Sequence, residues 1–223
     1  MLIYKRQHTG DIRQFSNRGK RMNDSELIHR LEKTGLHFRP GLTEDEAQKI
    51  EETYAVRLPD SLRKLYSIAV PTADERFPDW TNFSPENTEA IRTRMREPYV
   101  WLEKDVENGY WVPCWGEKPT DKAERDARLS EVLAHAPVLL PLFGHRYLPA
   151  VEGVEDSPVL SSVGCDTIFY GSSLTEWLKI EFLSSSHSIP SEKAKNVPFW
   201  SDLIAFNDAE WQAKEKLRKK LGL

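Results

Sequence analysis

Residues Pro137–Phe182, PVLLPLFGHRYLPAVEGVEDSPVLSSVGCDTIFYGSSLTEWLKIEF, decide the fold. They hold the longest uncharged apolar run of the chain, Ala136–Gly144. Val138–Phe143, Tyr147–Val151, Val159–Val163 and Thr167–Tyr170 are rich in strand formers and separated by Gly, Pro, Asp and Ser, so they are predicted as strands, the last two paired. Ser173 is placed to cap a closing helix with Leu174, Trp177, Leu178 and Phe182 as anchors. The remaining segments are expected to pack around this core.

Working outward toward the N-terminus, helical patterns dominate. Asp24 or Ser25 can cap a helix over 23–34 with Leu27, Ile28 and Leu31 on one stripe and Gly35 as its stop. Thr43-Glu44-Asp45-Glu46 fits a capping box, in which hydroxyl and carboxylate satisfy each other's orphan amides, and Ala47, Ile50 and Tyr54 follow on one face. Pro59 suits the first turn of the next helix, whose buried face is Leu62, Leu65, Tyr66 and Ala69, and Pro71 is read as its end. Ser84-Pro85 opens a helix continuing to about Arg96, with Ile91 and Met95 inward. Tyr99–Trp115 is expected to be half-buried, with Asn108-Gly109 as a hairpin turn. Thr120 is placed to cap a helix through Ala134, with Ala123, Ala127, Val132 and Leu133 inward.

Toward the C-terminus, Ser184–Val197 reads as a polar loop. Phe199, Trp200, Leu203, Ile204 and Phe206 are expected to return to the core, and Asp208–Leu221 to form a charged helix with Glu210–Lys214 and Glu215–Lys219 one turn apart. The domain plan is therefore a basic leader over 1–22, one domain over 23–206 and a charged helix over 207–223.

Charge is unevenly spread. The net value of −4 combines +5 over Met1–Arg21 with −9 over the rest. The leader admits three origins: an organellar transit peptide, a disordered arm, or a start at Met22 preceded by a ribosome-binding site encoding Arg18–Arg21. An acidic body excludes non-specific nucleic-acid binding, which needs a cationic face, and favours a basic protein partner. No run approaches the roughly 18 apolar residues of a membrane span. Cys114 and Cys165 show neither CxxC nor nearby metal-spaced His, so two reduced, packed thiols in a cytoplasmic protein are expected, with no metal and no cofactor.

The stretch GLTEDEAQKIEETYAVRLPDSLRKLYSIA from Gly41 resembles the opening of the SUKH superfamily, the Smi–Knr group of cell-wall-synthesis regulators and bacterial immunity proteins. Phe77–Trp80 (FPDW), Trp111–Pro119 (WVPCWGEKP), Pro141–Pro149 (PLFGHRYLP) and Asp166–Gly171 (DTIFYG) are similar to one bacterial branch, and the resemblance covers roughly 41–182. It departs at Ala69-Val70-Pro71, where many members carry Asn-Gly-Gly. The resemblance implies an α+β fold: a central, mainly antiparallel sheet with N-terminal helices packed on it and a closing C-terminal helix. The helix-then-strand order agrees. It also implies a non-enzymatic domain that binds a protein partner such as a toxin, or alternatively a regulatory scaffold.

Two residue groups are candidates for a site. His145, Arg146 and Asp166 flank adjacent strands. They can form a structural salt bridge, recognise a ligand or partner, or serve a hydrolase or sensor through the imidazole. Asp79 and Trp80, with Trp111 and Trp115, can line a concave binding surface or seal the edge of a core. No GxSxG, GxGxxG, P-loop or HExxH pattern occurs, and the acidic runs Glu44–Glu46 and Glu51-Glu52 are explained as helix-start charge and a solvated face.

Overall fold

A computed structural model describes residues 23–72, 74–151, 153–154, 156–183 and 194–221. The basic leader and most of Ser184–Val197 lie outside the described residues.

Helix α1 (Asp24–Glu32) is capped by Asn23, whose side chain accepts from the Glu26 amide, rather than by Asp24 or Ser25. Helix α2 (Glu44–Tyr54) has the expected capping box: the Thr43 amide donates to Glu46 at 2.9 Å and the Glu46 amide to the Thr43 hydroxyl at 3.2 Å. Arg39 also donates to Glu46 at 2.8 Å, and this bond, with the Thr43 amide, holds the carboxyl below its ordinary pKa. Helix α3 (Asp60–Tyr66) follows the Leu58-Pro59 link and buries Leu62, Leu65 and Tyr66.

The first departure comes here. The chain leaves the helix at Tyr66, and Ala69–Thr72 forms strand β2, antiparallel to β1 (His37–Pro40) with Phe38 opposite Pro71. Pro71 therefore lies inside a strand. A two-stranded pairing tolerates its missing amide, because an edge position has no second neighbour to satisfy. Gly41 makes the turn possible: a Cβ there would lie 2.1 Å from the Ser67 carbonyl oxygen.

The second departure is larger. Helix α4 runs from Pro85 to Glu107, straight through Pro98, and Ser84 caps it through the Asn87 amide. Asn108 is its C-cap and Gly109, at φ 108°, its stop, so Asn108-Gly109 is a helix terminus and not a hairpin turn. An interior proline costs a helix about 3 kcal/mol. Burial of Ile91, Pro98, Leu102 and Val106 along one continuous stripe outweighs that cost. A 3₁₀ turn, Pro113–Trp115, leads to α5 (Lys122–Leu133), capped by Asp121. In α5 Leu129 is buried, with Val132 and Leu133 beside it, whereas Ala123 and Ala127 face solvent.

The main sheet is an antiparallel meander, β3 (Leu139–Phe143), β4 (Arg146–Pro149), β5 (Val159–Val163) and β6 (Asp166–Gly171), in that spatial order. Gly144, at φ 53°, makes the tight β3–β4 turn. Pro141 sits on the outermost strand, where its lack of an amide leaves no ladder bond unmade. Helix α6 (Leu174–Phe182) starts on the expected Ser173 cap. Helix α7 runs unbroken from Trp200 to Leu221, joining the expected apolar return and the charged helix in one element.

Both faces of the sheet are covered. Leu140, Leu142, Leu148 and Val159 join a core with α1, α2, α3 and α6. Leu139, Tyr147 and Leu160 join a second core with Leu102, Trp115, Leu129 and α7. A register irregularity between Pro141 and Phe143 turns Phe143 to the same side as Leu142. Covering on both faces explains the near-continuous apolar runs of β3 and β4, where a half-exposed sheet would alternate. The architecture is α+β, with α7 closing the chain.

Candidate functional site

Arg146 opens β4, one residue after the Gly144-His145 turn, and its side chain lies on the sheet face covered by α6. It is 8% exposed. Its Nε donates to Glu181 Oε2 at 3.1 Å and its Nη1 to the Ser161 hydroxyl at 2.8 Å. The guanidinium also lies 3.7 Å from the centre of the Tyr170 ring. Ser161 stands opposite Arg146 in the register, so strand pairing delivers the acceptor. Burial pushes the Tyr170 phenol up in pKa, and the Arg146 charge partly offsets it.

Glu181 is the member that local sequence patterns did not reveal. It follows Trp177 and Leu178 by one turn, which places it beside the buried face of α6. That spacing was the available signal. The arrangement is a nearly buried cation held by a carboxylate, a hydroxyl and an aromatic face. It ties the last turn of α6 to the sheet.

His145 and Asp166 stand apart from this pair. Both are exposed, and Asp166, opposite Val163 at the start of β6, forms no ion pair with Arg146 and no hydrogen bond with His145. The three are close enough to sense one another's charge. The imidazole pKa is lowered by partial desolvation and by the Arg146 charge, against weaker opposing effects of Glu181 and Asp166. The fold therefore favours the neutral imidazole. The His145 carbonyl accepts from the Ser162 amide at 3.1 Å, which fixes the turn to β5.

The aromatic candidates are divided between the two cores. Asp79 accepts from the amide and hydroxyl of Thr81 at 3.2 and 2.9 Å, a local turn before α4. Trp80 is 1% exposed and meets the Tyr54 ring edge-on at 5.3 Å in the first core. Trp111 donates its indole N–H to the Gly116 carbonyl at 2.9 Å and packs edge-on to Trp115. Trp115 stacks on Phe199 at 5.6 Å in the second core. The sheet lies between Trp80 and Trp115, so these residues seal two separate cores and do not line one concave surface.

A further polar group joins loop, helix and turn. Arg94 on α4 donates to the Arg76 carbonyl at 2.7 Å and to the Gly144 carbonyl at 3.3 Å. Burial lowers its pKa, with Tyr147 and Glu97 opposing. Arg76 meanwhile pairs with Asp74 at 2.6 Å and lies 4.3 Å from the Phe143 ring centre. These contacts fix the loop before α4 to the β3–β4 turn. They spend the cations on internal acceptors.

An open cleft of about 440 Å³ lies between the α2–α3 link (Val56, Arg57, Leu58) and the β4–β5 loop (Ala150, Val151, Val154). Its surface is about equally polar and apolar, and Arg57 and Asp60 are the charged groups among the described residues that line it. Among the described residues no group of three His, Cys, Asp or Glu side chains is placed to hold a metal ion. No described helix is long and apolar enough to cross a membrane. Both cysteines are free, but Cys114 is exposed, not packed, because the 3₁₀ turn that carries it buries Trp115 instead. Burial and the neighbouring Asp105 carboxylate push the Cys165 thiol up to about 12.

Compared with protein-family models, with curated proteins and with solved structures, the chain finds no match.

Proposed function

We propose that this chain is a non-enzymatic protein-binding domain that masks a basic protein, in the manner of the immunity proteins of the superfamily its 41–182 segment resembles. The observation that carries this reading is charge. From Met22 to Glu210 the sequence has 33 Asp and Glu against 20 Lys and Arg, a net −13. Asp45, Glu86, Glu103 and Glu117 are exposed and in no ion pair among the described residues. An acidic body of this kind steers a basic partner into encounter and rejects acidic ones. A toxin that acts on nucleic acid must itself present a cationic surface, and that is the surface such a body covers.

Co-expression with basic nuclease toxins of the host, beginning with any encoded beside this gene, tests the proposal. The expected result is restored growth and a complex whose association rate falls steeply with added salt. Absence of a complex, or a rate indifferent to salt, overturns it.

A further inference from the structure

Helix α7 has two halves with different surroundings. Trp200, Leu203 and Ile204 are buried in the second core. At Asn207 the helix passes the β5–β6 turn: its side chain donates to the Cys165 carbonyl at 2.7 Å and accepts from the Tyr110 hydroxyl at 2.9 Å. From Gln212 to Leu221 every residue but Glu215 is exposed. The ion pairs along this arm, Lys214 with Glu210 and Lys219 with Glu215, stay within the helix.

The arm has an ordered face. Leu217 and Leu221 lie one turn apart on the same side and are 56% and 62% exposed, more than any other large apolar residue described. At about 100° per residue, Lys214 and Arg218 flank this stripe on one side and Lys216 and Lys220 on the other, with Glu215 turned away. The face is an apolar ridge between two rows of cations.

A complementary surface exists elsewhere on the molecule. Val100 and Trp101 on α4 and Val163 on β5 are 42%, 48% and 47% exposed. They are contiguous, because a Cβ on Gly164 would lie 3.0 Å from the Trp101 backbone. Glu97 and Glu103 lie one turn from Trp101 and Val100 along α4, and Asp166 stands opposite Val163 in the register. Arg96, paired with Glu89, and Lys104, its ammonium 4.2 Å from the Trp101 ring centre, are the cations of the same stretch, and Asp105 accepts from the Cys165 amide. Among the described residues, five of the eight exposed large apolar side chains thus belong to these two surfaces, one ridge rimmed by cations and one patch where carboxylates outnumber cations.

The arm cannot reach the patch of its own molecule. Trp101 touches the β5–β6 turn that Asn207 also touches, and a straight helix carries Leu217 about 15 Å beyond that point. We infer that the arm docks on the Val100–Trp101–Val163 patch of a second copy of this chain, and that the second copy returns the contact. Two identical arm-to-patch interfaces related by a twofold axis close the dimer and leave neither surface in water. The cationic arms also offset the repulsion between two acidic bodies.

Sedimentation velocity of the full chain, from low to high micromolar protein at low salt, tests the inference. The expected mass is twice the 25.8 kDa of one chain. Leu217→Glu/Leu221→Glu in the arm, or Trp101→Glu in the patch, is expected to raise the dimer Kd at least about tenfold while circular dichroism stays unchanged. Mixing the arm variant with the patch variant restores one intact arm-to-patch contact, so a mixed dimer reappears. A monomeric wild type overturns the inference. So does a variant that dimerises as tightly as the wild type, or a mixture that recovers nothing, which assigns any dimer to another surface. A monomer that sediments with anionic phospholipid vesicles overturns it in favour of a membrane surface.

Discussion

Replacing Glu181 by leucine leaves the Arg146 guanidinium without its carboxylate in a place where water cannot take over. The two side chains are 10% and 17% exposed and 3.1 Å apart. At an effective dielectric constant of about 20, unit charges some 4 Å apart attract by about 4 kcal/mol. Loss of one partner from a buried pair costs about 3–5 kcal/mol. Ser161 and the Tyr170 ring remain in place and soften the loss, so about 3 kcal/mol is expected. For a chain of this size that lowers Tm by roughly 6–12 °C. Glu181→Gln keeps an acceptor and should cost about half as much. The double variant Arg146→Met/Glu181→Leu removes both charges and is expected to return to within about 1 kcal/mol of the parent, because the desolvation penalty disappears with the attraction. Urea unfolding followed by tryptophan fluorescence measures these proteins together with the single variant Arg146→Met, and Trp177 on α6 reports on the element being released. Single-variant costs under about 1 kcal/mol, or strictly additive costs, would show that the pair does not hold α6 to the sheet.

Gly41→Ala drives a Cβ to 2.1 Å from the Ser67 backbone oxygen, and backbone cannot move aside cheaply, so a loss of about 2 kcal/mol or more in the same assay is expected. His145 titrates lower in the fold than its ordinary value, so the unfolded chain takes up the proton first. Stability is therefore full above the ordinary imidazole pKa and falls as pH drops through it. His145→Gln should flatten the fall in urea midpoint between about pH 7 and pH 5, while an unchanged slope would assign it to other groups. Iodoacetamide at neutral pH should modify Cys114 well before Cys165, whose thiol is half-buried and raised by burial and Asp105; equal rates in the native protein would contradict that placement.

Several features set by neighbouring residues were legible in the sequence, although the caps of α1 and α5 are Asn23 and Asp121 and not the expected Asp24 or Ser25 and Thr120. The Thr43–Glu46 box, the Ser84 and Ser173 caps and the limits of β5 depend on contacts within a few positions, and the structure carries all of them. Features set by distant burial were not. Pro98 reads locally as a helix end, and only packing of Leu102 and Val106 against the sheet carries α4 past it. Strands β1 and β2 are four residues each, too short for a period-two pattern, and each is defined by the other. The candidate site behaved likewise. Arg146 was visible as a charge beside a strand, but its carboxylate came from Glu181, 35 positions on, and not from Asp166. Trp80 and Trp115 look alike in sequence, yet the sheet that separates them is built from residues beyond both.

The chain visits the two cores alternately, and this bears on how it is synthesised. Helices α1 to α3 belong to one side of the sheet, α4 passes from that side at Ile91 to the other at Leu102 and Val106, and α5 lies on the second side. The strands come next, then α6 returns to the first side and α7 to the second. The first side is complete once residue 182 has left the ribosome. The second lacks Val197, Phe199, Trp200, Leu203 and Ile204 until the last segment emerges. Until then Leu139, Tyr147, Leu160 and Trp115 line an open trough on the nascent chain, a surface for chaperones to hold and for aggregation to exploit. A polypeptide stalled between residues 182 and 200 would carry one finished layer and one bare one, and quality control would have an apolar sheet face by which to find it.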